Sequence, residues 1–300
     1  MGSRAMFLTT IGCSGTGDDM SRAFSIRIFL PDGVPDGLRL VEKSNWTGLG
    51  VVFPRAIFST CKSRLEFART GVYVLVGPPE EGDIPMIYVG EGDPVRPRLE
   101  QHHAKKDFWT WAIFFVSKDT SLNKAHVQHL EARLLQLASD AKRSRSDNRN
   151  AAELPALSEA EQADTESFLT DMLSIFPLVG LTVFEKAQTS STDQRVPLFI
   201  KSKGVEARGY ETAQGFLVES GAGAVVADTP TLHPYMSEIR KQLREQGILV
   251  EAEGHLQFTQ DYLFSSPSTA AGVVLARSAN GRTEWKDVTG KTLRQLQEGA

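Results

Sequence analysis

Cysteine is scarce. The two in 300 residues, Cys13 and Cys61, make neither a disulfide framework nor a metal-ligand pair. That shortage points to a reducing compartment, so the expected location is cytoplasmic. Long apolar runs are missing as well: none approaches the roughly 20 residues that a membrane-spanning helix needs, and no membrane partner is expected. Residues 1–20 are small and polar, with a short apolar patch at 6–11. They lack the layout of a signal peptide, and residues 1–21 are expected to be a disordered lead. Strong net charge is absent too. Lys and Arg number 33 against 37 Asp and Glu, a balance of −4, which argues against indiscriminate binding to polyanions. Internal repeats and low-complexity tracts are not visible.

What is present has the composition of a globular protein, with length for two or three domains. Charge is unevenly spread. Residues 96–149 carry 11 Lys and Arg against 6 Asp and Glu, whereas residues 150–176 carry 6 acidic residues and no basic one. Basic character is therefore concentrated in the middle of the chain, as a polyanion substrate would require.

The chain is organised around residues 71–102. Two apolar runs, Gly71-Val72-Tyr73-Val74-Leu75-Val76-Gly77 and Ile87-Tyr88-Val89-Gly90, flank a polar loop and read as a β-hairpin. A helix then starts near Asp93 or Pro94, with Pro97 in its first turn, where a missing N–H costs nothing. Tyr73 and Tyr88 occupy equivalent places on paired strands and can lie side by side. Arg98 and His102 share a helix face. Two phenols, a guanidinium and an imidazole thus converge beside the sheet. Such a set suits phosphate chemistry, because Arg binds oxyanions bidentately while a phenol or imidazole positions or deprotonates water.

With Gly71-Val72-Tyr73, Tyr88-Val89-Gly90, Arg98 ten residues after the second Tyr and His102 four residues later, the stretch resembles the GIY-YIG endonuclease family. The order of elements matches that core as well. After the helix, the aromatic run 108–116 fits a buried strand. Ser117 to Ser121 offer helix caps, and Val127, Leu130, Leu134 and Leu137 form an apolar helical stripe. The expected fold class is therefore α+β, with a central β-β-α-β-α core and a small antiparallel sheet.

The resemblance implies a metal-dependent endonuclease acting on DNA, with Tyr73, Tyr88, Arg98 and His102 as catalytic residues. It also implies that Glu131, on the second long helix, binds Mg²⁺ or Mn²⁺. A single carboxylate suffices for such an ion, which keeps several waters. Lys105, Lys106 and Asn148 are the expected nucleic-acid contacts, Asn148 because some family members carry a site Asn downstream of the Glu. One departure stands out: many members have Lys directly after the second tripeptide, and Glu91 takes that place here, with Lys105, Lys106 or Arg96 as possible replacements. A catalytically silent nucleic-acid-binding module is the alternative function, and a protein-interaction scaffold a third. His126 and His129 are poorly spaced for zinc and read as a solvated pair.

Around this core, residues 22–66 alternate as short strands and are expected to form a small β-rich module, with Trp46 in a packing role. Residues 151–190 read as an acidic helical linker, capped by Ser158, that links or buttresses two domains. Residues 191–300 read as a C-terminal α+β domain. Its Ser-Pro-Ser-x-Ala-Ala run at 266–271, Asn280-Gly281 turn and Trp285-Lys286 resemble an uncharacterised domain that accompanies GIY-YIG cores. Ser266 and Pro267 there read as a helix start.

Overall fold

The structure, a computed structural model, describes residues 23–79, 84–149, 152–185, 196–202, 204–212 and 214–299. The lead at 1–21 and Cys13 lie outside the described residues. The chain folds as α+β, and the described residues form three sheets. Among them no helix is long and apolar enough to cross a membrane.

The largest sheet is built from β1 (Ile26–Phe29), β2 (Arg39–Lys43), β3 (Gly48–Pro54), β4 (Gly71–Gly77), β5 (Met86–Gly92), β6 (Trp111–Ser117) and β7 (Arg145–Ser146). Its strand order is β1-β2-β3-β6-β4-β5-β7. The expected hairpin is present as β4 and β5, paired antiparallel from Gly71↔Gly92 to Gly77↔Met86. The separate β-rich module is not. β3 pairs with β6 along its whole length, from Gly48↔Ser117 to Pro54↔Trp111. The reason lies in β6, whose run of Trp, Ala, Ile, Phe, Phe and Val is buried on both faces. Such a strand belongs inside a sheet. β4 takes one of its edges and β3 the other.

Helices cover both faces. α1 (Phe58–Cys61) and α2 (Val95–Lys105) lie on one side, where Tyr73, Leu75, Leu99, Trp109 and Phe114 form a core. α3 (Lys124–Ala141) and α4 (Glu159–Ile175) lie on the other, against Val72, Val74, Val76, Val89 and Phe115. Pro97 sits in the first turn of α2, as expected. α3 carries its stripe inward but is capped by Asn123, not by the serines: the Asn123 side chain accepts from His126 N–H, and the His126 ring accepts from Asn123 N–H. Ser117 still belongs to β6.

The described part of the acidic helical segment, residues 152–185, buttresses the main sheet. α4 begins at Ser158 with the expected capping box to Glu161. Its Phe168 then packs 4.9 Å from the Trp46 ring, and Lys43 Nζ reaches Asp171 Oδ1 at 2.6 Å. The acidic composition describes only the outer face of α4, whereas Phe168, Leu169, Met172 and Ile175 are core. Trp46 is likewise core.

The C-terminal part has a sheet of β8 (Leu198–Ser202), β9 (Val205–Thr212), β10 (Gly215–Val218) and β14 (Tyr262–Phe264). A second is made by β11 (Gly223–Ala224), β12 (Leu249–Ala252) and β13 (His255–Phe258). α5 (Pro234–Glu245), α6 (Pro267–Leu275), α7 (Gly281–Glu284) and α8 (Leu293–Glu298) complete it. Ser266 caps α6, with Pro267 in its first turn. Asn280-Gly281, expected as a turn, starts a short helix: Asn280 caps α7. Trp285 Nε1 donates to Pro267 O at 3.0 Å, and Gly281 N–H donates to Ser268 Oγ at 3.0 Å. A Cβ on Gly281 would meet Pro267 C at 2.1 Å. The sequence pattern of this region is thus an internal clamp holding α6 against α7.

Phe168→Ala is expected to lower global stability by about 3–5 kcal/mol in a denaturant titration. A free linker helix would lose nothing.

Candidate active site

Tyr73 projects from β4 and is completely buried. The strand register places it opposite Gly90, while Tyr88 lies opposite Leu75. The two tyrosines are therefore diagonal neighbours, not directly opposed. Their rings stack with centroids 6.3 Å apart. Gly90 makes this possible: a Cβ there would lie 2.4 Å from Tyr73 Oη and 2.5 Å from Cζ. The second tripeptide ends in glycine because the first tripeptide's phenol occupies that space.

α2 brings His102 against both rings. Tyr73 Oη and His102 Nε2 are 2.8 Å apart, and the Tyr88 and His102 centroids are 4.6 Å apart. Burial, helped by the positive charges of Arg98 and Lys106, holds the His102 pKa down to about 4. The imidazole is thus neutral at pH 7 and shares one hydrogen bond with the Tyr73 hydroxyl. Burial also raises the Tyr73 pKa well above the normal phenol range; Tyr88 adds to this and Arg98 only partly offsets it. Tyr88 is raised by the same cause. Arg98 stands close enough to both phenols to act on their titration, and its side chain also bonds Gln101 Oε1 at 3.3 Å.

Glu131 approaches from α3. It shares a cleft of about 440 Å³ with Tyr88, Lys106, Asp147, Asn148 and Arg149. Burial first, then the charge of Glu91, raises its pKa to about 7, against the pull of Arg98 and Lys124. Tyr73, Tyr88, Arg98, His102 and Glu131 are thus brought together.

The expected nucleic-acid contacts fare differently. Lys105 ends α2 on the exposed surface. Lys106 is ion-paired with Asp147, and its ammonium lies 4.4 Å over the Tyr88 ring. Asn148 lines the cleft, but its amide is engaged: Oδ1 accepts from Val89 N–H at 3.0 Å and Nδ2 donates to Val89 O at 2.7 Å. Where β7 stops after pairing with Met86 and Ile87, Asn148 continues as a surrogate strand partner. The solvated histidine pair is also corrected. His126 belongs to the α3 cap, and His129 is buried with Nε2 2.7 Å from Glu166 Oε1, because α4 covers that face.

Sequence reasoning missed two partners. Lys124 Nζ contacts both carboxylate oxygens of Glu91, at 2.6 and 2.7 Å. Asp147 holds Lys106. Both pairs join residues more than thirty positions apart, so only the fold shows them.

Among the described residues no group of three or more His, Cys, Asp or Glu gathers as a metal cage. The donor set nevertheless fits a hard divalent cation. Glu131 resists ionisation and makes no hydrogen bond or ion pair among the described residues. A dication that keeps its waters needs one or two carboxylates and space, and the cleft supplies both.

A family model described as a domain of unknown function, DUF4357, matches residues 198–297. That third of the chain lies outside the cleft. No curated protein and no solved structure matches significantly.

Two outcomes test this geometry. Gly90→Ala should displace the Tyr73 ring, shift the His102 imidazole resonances in an NMR spectrum and cost about 1–3 kcal/mol of stability. Glu131→Gln should stabilise the metal-free fold selectively at high pH. The Glu131 pKa is raised on folding, so its contribution is intact below the unfolded carboxylate pKa and is lost as pH climbs through about 7. The variant should melt about 2–4 °C higher than the parent at pH 8, for about 1 kcal/mol after solvent screening. At pH 4 it should show no gain.

Proposed function

We propose that this chain is a metal-dependent phosphodiesterase, an endonuclease that hydrolyses DNA. The observation that carries the proposal is the meeting of Tyr73, Tyr88, Arg98, His102 and Glu131, from two strands and two helices, behind a cleft that Tyr88 and Glu131 line. The resemblance of residues 71–102 to the GIY-YIG endonucleases supports the same reading.

Each residue's role follows from its surroundings. Tyr73 remains a phenol at neutral pH. In the tautomer that leaves Nε2 unprotonated, neutral His102 accepts the Tyr73 proton, and an oxygen lone pair is left to accept from an attacking water. Once a water is admitted beside this buried hydroxyl, Tyr73 orients it, and any proton leaving Tyr73 passes to His102 Nε2. Tyr88 packs against the imidazole and holds it in place. Arg98 neutralises charge that builds on the phosphoryl oxygens, an effect commonly worth about 3–4 kcal/mol. Glu131 is the residue that would hold Mg²⁺ or Mn²⁺, which when bound supplies Lewis-acid stabilisation of the leaving oxygen. Glu131 must be ionised for that task, so cation affinity should rise with pH up to about 7 and level off above it.

The burial of Tyr73 also favours a second reading, a nucleic-acid-binding module without cleavage. The test is nicking of supercoiled plasmid by purified protein, with Mg²⁺ or Mn²⁺ against EDTA. Metal-dependent nicking that falls by about 10²–10³-fold in Arg98→Ala is the expected outcome. Nicking that persists in Glu131→Gln would remove the metal role from Glu131. Plasmid retained in a low-salt gel shift but never nicked would favour the silent module.

A further inference from the structure

Beside the cleft, close enough to act on Glu131, lies a charge pair that the catalytic constellation does not use. Glu91 leaves β5 on the α3 side, since it pairs in register with Val72. Lys124, in the first turn of α3, closes onto it with Nζ 2.6 and 2.7 Å from the two carboxylate oxygens. The pair is lopsided. The Glu91 side chain is 14% exposed and that of Lys124 is 52% exposed. A polyanion approaching the cleft therefore meets the ammonium, and the carboxylate lies behind it.

From this geometry we infer that Lys124, held in place by Glu91, is a phosphate-binding residue at the margin of the cleft that grips the DNA backbone beside the scissile position. The inference rests on the nuclease reading and extends it to a residue that the sequence motif does not contain.

Three observations support it. First, Lys106, the lysine that lines the cleft over the Tyr88 ring, is occupied by its pair with Asp147. Second, an ammonium has three donors, and two contacts to Glu91 leave one for a phosphate oxygen. Both oxygens of the carboxylate on one ammonium also fix a flexible side chain, so less conformational entropy is lost when phosphate binds. Third, the pair belongs to the same electrostatic environment as the cleft. Glu91 and Lys124 act in opposite directions on Glu131, and Glu91 acts on Arg98. An unpaired Glu91 would set a second negative charge beside Glu131 and repel the substrate. With Lys124 in place, that carboxylate becomes the anchor of a cation.

The experiment is binding of a labelled DNA duplex in EDTA, so that cleavage plays no part, across a series of KCl concentrations. Lys124→Gln should weaken binding several-fold at low salt and reduce the slope of log K against log [salt] by about 0.9, the loss of one phosphate contact. Lys124→Arg should restore the slope, which a merely structural role would not require. Glu91→Gln should keep the slope while lowering affinity, because the cation remains but is no longer held. A full slope in Lys124→Gln, with the intact protein binding normally, overturns the inference and leaves the nuclease reading standing. No duplex binding by the intact protein at low salt overturns both.

Discussion

The site depends on desolvation around β4. Every residue of that strand is buried, and it is paired on both edges, by β5 and β6. Tyr73 is carried into this interior, so its phenol faces protein in place of water. The same lack of water holds His102 neutral and makes Tyr73 reluctant to ionise. Glu131, at the margin, has its carboxylate pushed to about 7 by burial first and by Glu91 second. The three unusual titrations have one leading cause, and it is the position of the sheet interior.

The cleft exists because the sheet ends unevenly. β7 pairs only with Met86 and Ile87, so among the described residues the later half of β5 has no strand beyond it. Asn148 closes one backbone position there and no more. Tyr73 and Tyr88 lie on the α2 face, whereas Glu91 and Glu131 belong to the α3 side. These groups sense one another around the open edge. Charges that burial would make costly are answered by distant partners, Lys124 for Glu91 and Asp147 for Lys106.

The C-terminal region presents a different case. The residues that give it a recognisable pattern are spent on its own architecture. Ser266 caps a helix, Ser268 and Gly281 close a tight backbone contact, Trp285 bonds Pro267 O, and Arg277 pairs with Glu284. The pattern is recognisable because close packing of α6 on α7 tolerates few alternatives, as the 2.1 Å approach at Gly281 demonstrates.

Much of this was legible in the sequence. Alternation and glycine punctuation announced the β4–β5 hairpin, the apolar stripe announced α3, and Ser158 and Ser266 announced their helices. These are local signals: neighbouring residues set backbone conformation and which face is apolar. The gathering of Tyr73, Tyr88, Arg98 and His102 was also readable, because strand pairing and one helical turn relate them. The diagonal offset of the tyrosines was not, since register is settled by packing across the sheet and by the space Gly90 leaves open. Nor was the joining of β1, β2 and β3 to the main sheet, or the face on which α4 docks. Both depend on which strand edge and which apolar face remain uncovered once β6 and β4 have paired. Asn148, His129, Glu91 and Lys124 show the same limit: their residue types declared polarity, but their partners lie across the fold. The sequence by itself determined the elements and the chemistry available to them. Tertiary structure alone decided which charges meet and which are kept from water, because desolvation and long-range pairing are properties of the assembled interior.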